Sequence, residues 1–366
     1  MSQEHKSGEP IYVTRSFLPP RAEYDAWLDK VYASNVLTNN GPIHRELEET
    51  LRARFEVPYL RLMTNGTLAI QLAIRALGVK GKIITTPFSY VATTSALLWE
   101  GCEPVFVDID PTTCCIDPNL IEAAITPDTT AILATHVYGI PCAVEAIDII
   151  AKKHGLKVIH DAAHAFDVKY KGRSILAYGD ASTLSFHATK LFHTVEGGAV
   201  VLHDAQADAR LRLLRSFGHI GDEHFSLGMN AKMSEMHAAM GMAVLPHVEE
   251  CIRQRKELDA SYRLELKELP VRTLPICPST IHNYAYFPVF FSAGEIRQRV
   301  QKELEVLGIF SRRYFYPSLN QLPYLTSPAM TASEFAADTA LSLPFYPGLP
   351  AHVPEAITQV IRGVTR

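Results

Sequence analysis

The sequence predicts an α/β protein: a large unit built on a mainly parallel sheet covered by helices, followed by a smaller α/β unit. Two patterns predict it. From about residue 60 to 200, short apolar runs rich in Val, Ile and Thr alternate with amphipathic stretches. After about residue 205, long helical patterns and a Pro-rich stretch replace that alternation. With 366 residues the chain is long for one core and suits two domains, divided here as 1–245 and 246–366.

The predicted strands, in order, are KIITTPF from Lys82, PVFVDID from Pro104, TAILATHVYG from Thr130, KVIHDAA from Lys157, STLSFHA from Ser182 and GAVVLH from Gly198. Nearly continuous apolar runs fit strands buried on both faces. DPNLIEAAI from Asp117 and AVEAIDIIAKKHG from Ala143 read as helices that open at Asp or after Pro and close at Gly. QADARLRLLRSFG from Gln206 and the long segment from Ser234 continue as helices, the second kinked near Pro246. YAYFPVFF from Tyr284 reads as strand, GEIRQRVQKELEVLG from Gly294 as helix, and SRRYFYPSLNQLPYL as an aromatic loop.

Bulk chemistry excludes several classes. A formal charge of −4 supplies no basic field for nucleic acid. No apolar run reaches the roughly 18–20 residues that span a bilayer. The polar start, MSQEHKSGEPIYV, lacks a signal-peptide core, so a cytoplasmic protein is expected. Six cysteines without a CxxC pair read as free thiols.

Four segments carry chemistry. In TNGTLAIQLAIRALG, Gly66 and Thr67 open a helix whose first N–H groups lack partners, a setting for phosphate or for a plain N-cap. In KVIHDAAHAFDV, Asp161 ends a strand, where α/β ligand sites gather, and a carboxylate there can hold a cationic ring nitrogen or serve structure. His164 can share a hydrogen bond there. His160 and His164 have metal-ligand spacing only on a helix, and this segment reads as strand into loop, so no metal is expected. Tyr90, in TTPFSYVATTSALL, either stacks on a flat ligand or fills core. In SFHATKLFHTVEGGAV, Lys190 is a lone lysine before Gly-Gly; a desolvated amine can lose its proton and condense with a carbonyl. Phosphate cradle, aromatic plate, strand-end Asp and lone lysine together fit one cofactor, pyridoxal 5'-phosphate (PLP).

NGTLAI, PFSYVATTSA, VFVDIDP, HDAAHAF and SFHATKLFHTVEGGA resemble the fold-type I, PLP-dependent nucleotide-sugar aminotransferases of the DegT/DnrJ/StrS group, from about Leu37 to the C-terminus. LTNNGPIHRELEE and SFHATK resemble most the subgroup that aminates the 4-position of dTDP-4-keto-6-deoxyglucose in deoxyamino-sugar synthesis for polysaccharides such as lipopolysaccharide. The resemblance implies that Lys190 is the catalytic, cofactor-anchoring lysine and Asp161 the partner of the pyridine nitrogen. It places His164, where the family commonly has Gln, near the phenolic oxygen. It puts Tyr90 on the ring, and Gly66, Thr67 and Ser185 on the phosphate. It implies that Asn230 reaches the phosphate of a neighbouring subunit, hence a homodimer with a shared active site. L-glutamate is the implied donor, with pyridoxamine 5'-phosphate formed between the two half-reactions.

Sugar-nucleotide contacts are expected from Asn39, Asn40 and Gly41, from His187, and from Arg312, Arg313, Tyr314 and Tyr316. A solvated surface pair is the alternative for Arg312 and Arg313, and an ordered strand-end histidine for His187. Family members with His at the lysine position are dehydratases, so Lys190 favours transamination. Rival readings are a 3-aminotransferase, the same chemistry on a UDP- or GDP-sugar, and a PLP-fold regulatory protein without catalysis.

Overall fold

A computed structural model describes residues 9–365. Residues 1–8, the larger part of the polar start examined for a signal peptide, lie outside the described residues. A seven-stranded sheet organises the chain, in the spatial order Tyr59–Met63, Gly198–Leu202, Ala181–Ser185, Lys157–Asp161, Thr129–Thr135, Lys82–Thr85, Glu103–Phe106. Gly198–Leu202 runs antiparallel to both neighbours. The other four pairings are parallel.

The apolar runs are continuous because both faces of this sheet are covered. Ile84, Ile132, Ala134, Val158, Ala199 and Val201 join one buried cluster. Their strand neighbours Ile83, Ala131, Leu133, Ile159, Val200 and Leu202 join another. Successive side chains point to opposite faces, so a strand that buries both is mostly apolar along its length. Each such Ile or Val contributes about 1.5–3 kcal/mol of burial.

The helices follow the local rules with two instructive differences. Val144–His154 carries Lys152, Lys153 and His154 in its last turn and stops at Gly155, whose φ of 66° a glycine adopts freely. The helix expected from Asp117 is only Pro118–Ile121 plus the 3-10 turn Glu122–Ala124. Pro127 follows three residues after Ala124 and disfavours helical geometry at Thr126, so the helix does not resume. At Pro246 the long helix breaks into Glu235–Val244, a 3-10 turn Leu245–His247, and Val248–Leu266. Of YAYFPVFF only Pro288–Phe290 is strand, between Arg272–Thr273 and Ala340–Ser342 in a separate antiparallel sheet. A third apolar cluster, with Tyr262, Phe287, Val300 and Ile357, also takes in Ile11 from the start of the chain. Two helices not foreseen from sequence, Arg21–Ser34 and Pro42–Arg54, pack with Glu235–Val244.

Candidate active site

The parallel strands end together, and the chemistry-bearing residues gather at those carboxyl ends. Asp161 closes Lys157–Asp161 and Ser185 closes the adjacent Ala181–Ser185. Asp161 is buried; its Oδ2 accepts from the Thr93 hydroxyl at 2.8 Å and its Oδ1 from the Ala163 N–H at 3.1 Å. Thr93 in turn lies 2.8 Å from the Ser89 hydroxyl, which lies 3.1 Å from that of Thr135. With Thr93 donating to the carboxylate, the row of hydroxyls is polarised toward Asp161. Burial pushes the Asp161 carboxyl above its ordinary range, against the opposing pull of Thr93, Ala163 and Lys190. No ion pair to Asp161 forms among the described residues. A buried carboxylate without a cationic contact is costly, and a protonated ring nitrogen is the partner that fits it.

His164 is fixed as a donor. Its Nδ1 faces the Tyr138 backbone N–H at 3.2 Å, a group that can only donate, so the ring hydrogen sits on Nε2. Burial holds His164 well below its usual range, reinforced by the charge of Lys190, and the ring stays neutral. It lies 5.5 Å from the Phe315 ring, nearly parallel, and 4.7 Å from that of Tyr286. His164, Ser185, Lys190, Asn283 and Tyr286 line a common cleft. Lys190 Nζ stands 3.2 Å from the Tyr286 hydroxyl.

Helix Gly66–Ala76 begins beside Ser185. A Cβ on Gly66 would stand 2.9 Å from the Ser185 Cβ, so glycine permits this close approach of helix start to strand end. Asn65 caps the helix, its side chain accepting from the Leu68 N–H at 2.9 Å. The cap therefore falls one residue before Gly66, and the capping and phosphate readings coexist. Tyr90 is 60% exposed, which overturns the core-filling alternative. It opens helix Val91–Trp99 and lies within electrostatic reach of Tyr314.

The other expected contacts separate. Arg312 is exposed, 5.7 Å from the Tyr314 ring, whereas Arg313 stacks at 3.3 Å on Tyr316 and pairs with Asp338 at 3.2 Å. His187 is held locally: its Nδ1 accepts from the Thr189 N–H at 3.2 Å, and its Nε2 lies 3.7 Å from Glu196. Asn39 and Asn40 have φ of 61° and 58°, a region asparagine tolerates, and the Asn40 Oδ1 is buried without a partner. Their loop rests on Glu235, whose buried carboxylate accepts from the N–H groups of Ile43 at 2.8 Å and His44 at 2.9 Å. Asn230 is exposed, and its Oδ1 accepts from Lys232 at 2.8 Å. The His160–His164 pair does not form. His160 instead stacks on His136 at 4.7 Å, beside Cys142. Rings stacked at 18° direct their in-plane lone pairs along nearly parallel planes, not toward a common point.

Thr93, Tyr286 and Glu235 were not foreseen. Thr93 stands three residues after Tyr90, in the first turn of a helix that starts at a strand end, and that position was a usable signal. Tyr286 and Glu235 had none, being 96 and 192 residues from Lys190 and Ile43, the groups they meet.

Lysine, buried carboxylate and helix start at the carboxyl ends of a mainly parallel sheet define a fold-type I PLP enzyme. The profile of the DegT/DnrJ/EryC1/StrS aminotransferase family matches residues 21–365. The chain is 42% identical over 365 residues to a dTDP-4-amino-4,6-dideoxy-D-glucose transaminase of Shigella dysenteriae, covering 97% of this chain and 99% of that protein. It is also 42% identical over 365 residues to one of Escherichia coli, covering 96% and 98%. The solved structure of DesI in the presence of its TDP-sugar product superposes with a TM-score of 0.93 at 36% identity, covering 98% of this chain and 94% of that one. The chain belongs to this aminotransferase family and is a PLP-dependent nucleotide-sugar aminotransferase.

Proposed function

We propose that the enzyme transfers the amino group of L-glutamate to the 4-keto carbon of dTDP-4-keto-6-deoxyglucose, releasing 2-oxoglutarate and dTDP-4-amino-4,6-dideoxyglucose. The observation that carries the reading is the buried Asp161 carboxylate, without an ion pair among the described residues, within electrostatic reach of Lys190. The choice of sugar is supported by the near full-length likeness to two transaminases named for that product.

In this reading Asp161 holds the ring nitrogen and the Nε2–H of His164 meets the phenolic oxygen. Gly66, Thr67 and Ser185 hold the phosphate, and Tyr90 covers the ring. When bound, the cofactor supplies the carbonyl that accepts the amino group and a ring that accepts an electron pair. Lys190 Nζ takes the α-proton of the donor and returns a proton when the amine is delivered to the keto sugar. Asp161 keeps the ring-nitrogen proton in place, and the Thr93 hydroxyl favours its ionised form against the opposing effect of burial. Arg312 is the cation free to meet a diphosphate, since Arg313 is engaged with Asp338.

The same proposal includes a homodimer in which Asn230 serves the neighbour's site. Its support is the segment around Asn230, where Phe217, Ile220, Phe225 and Leu227 are all exposed. Residues 1–245 form the cofactor-binding part and 246–366 the smaller one, which supplies most of an apolar cluster that Ile11 joins. Six unpaired cysteines, five of them buried, suit a reducing cytoplasm. No helix among the described residues is long and apolar enough to cross a membrane.

The test is single-turnover spectroscopy with product identification. L-glutamate should remove the cofactor's resting absorbance, and the keto sugar should restore it with the amine at carbon 4. A response to glutamate but not to this sugar would retain the class and discard the substrate. An amine at carbon 3 would move the enzyme to the rival regiochemistry.

A further inference from the structure

The cofactor contacts do not account for Tyr286. Its hydroxyl is the hydrogen-bond partner of Lys190 Nζ, at 3.2 Å. The amine lies 5.7 Å from the ring centre, so it meets the edge of the phenol at its oxygen and is not seated on the face. The ring is braced by His164 at 4.7 Å, by Tyr314 edge-on at 5.7 Å and by Tyr138 at 6.0 Å. Three aromatic walls therefore fix one hydroxyl at the end of a flexible four-carbon side chain.

We propose that Tyr286 is the dock for the free amine of Lys190, a positioning residue for the proton transfer. The inference rests on the reading of Lys190 as proton carrier. A hydroxyl oxygen accepting an N–H of the amine leaves the nitrogen lone pair free and directs it. During transfer the donor's α C–H bond breaks, its electron pair stays with carbon, and the proton goes to Lys190 Nζ. Tyr286 neither gains nor loses a proton over the cycle. Without it, the amine samples other rotamers, and fewer of them reach the α-carbon.

Tyr286→Phe removes the oxygen and keeps the ring. In the cofactor-free protein, trace acetylation with acetic anhydride, read by peptide mass spectrometry against the other lysines, should label Lys190 at least about threefold faster. In the holoenzyme, kcat should fall about tenfold with the KM for L-glutamate unchanged. The isotope effect with [2-²H]-L-glutamate should rise, because the proton step becomes slower than the others. Tyr286→Met gives the same comparison should the first variant not fold. Wild-type acetylation of Lys190, or a lower kcat with an unmoved isotope effect, would reduce Tyr286 to a packing residue. Wild-type enzyme that takes no amino group from L-glutamate would sink the functional reading instead, while the acetylation comparison would still judge Tyr286.

Discussion

Replacing Thr93 by valine tests the idea that the hydroxyl row favours the ionised form of Asp161. Valine keeps the shape and removes one oxygen, in a position that is fully buried. Asp161 then loses its 2.8 Å bond and retains only the Ala163 N–H at 3.1 Å. Ser89 also loses its 2.8 Å bond to Thr93 and keeps only Thr135 at 3.1 Å, so two hydrogen bonds are lost, one of them to the carboxylate. A hydrogen bond to a charged group is worth about 1.5–3 kcal/mol, or roughly one to two pH units in the carboxyl's titration. The folded-state carboxyl is already raised by burial, so between its unfolded and folded values the native protein binds the extra proton. That contribution to stability is complete below the unfolded value and is lost as pH rises through the folded value. Thr93→Val moves that loss to higher pH. It weakens the ionised form more than the neutral one, so the cofactor-free variant should be about 1.5–3 kcal/mol less stable at neutral pH and closer to wild type in acid. Denaturant unfolding of both proteins across pH 4–8 measures this. An equal deficit at every pH would show that Asp161 is not the group that Thr93 serves, and no deficit would refute the hydroxyl row altogether.

Other outcomes follow from the same geometry. Lys190→Ala should abolish turnover and leave unfolding nearly unchanged, because the side chain's hydrogen bond is to Tyr286 alone; near-normal turnover would remove Lys190 from the chemistry. Gly66→Ala brings a Cβ to 2.9 Å from that of Ser185, and should cost about 1–3 kcal/mol of stability and weaken cofactor binding, measured by equilibrium titration. Glu235→Ala uncaps Ile43 and His44 and should cost about 2–4 kcal/mol, with a raised KM for the sugar nucleotide if the Asn39–Gly41 loop binds it. Burial depresses His160 and His282 to about 4, so the unfolded chain binds protons that the native protein does not; stability should fall from about pH 6.5 to about 4, and His282→Gln should flatten that slope.

Local chemistry made much of this protein legible in advance. Both faces of the main sheet are covered, so its strands had to be mostly apolar, and the runs from Lys82 to Leu202 carried that mark. Asp161, Gly66 and Ser185 sit at strand ends or a helix start, and Lys190 lies in the turn that follows Ala181–Ser185, positions that a single segment defines by itself. Pro246 announced its own kink. Tertiary structure alone decided the rest, because those features join distant segments. The tautomer of His164 depends on a backbone N–H 26 residues away. Arg312 and Arg313 are identical in sequence terms, yet only Arg313 meets Asp338, 25 residues on. For Tyr90 the sequence left core filling open beside stacking on a ligand, and its exposure removes the core alternative. Tyr286, two residues before Pro288–Phe290, meets Lys190 across 96 residues of chain, a placement set by burial of area summed over many residues and written in no short motif.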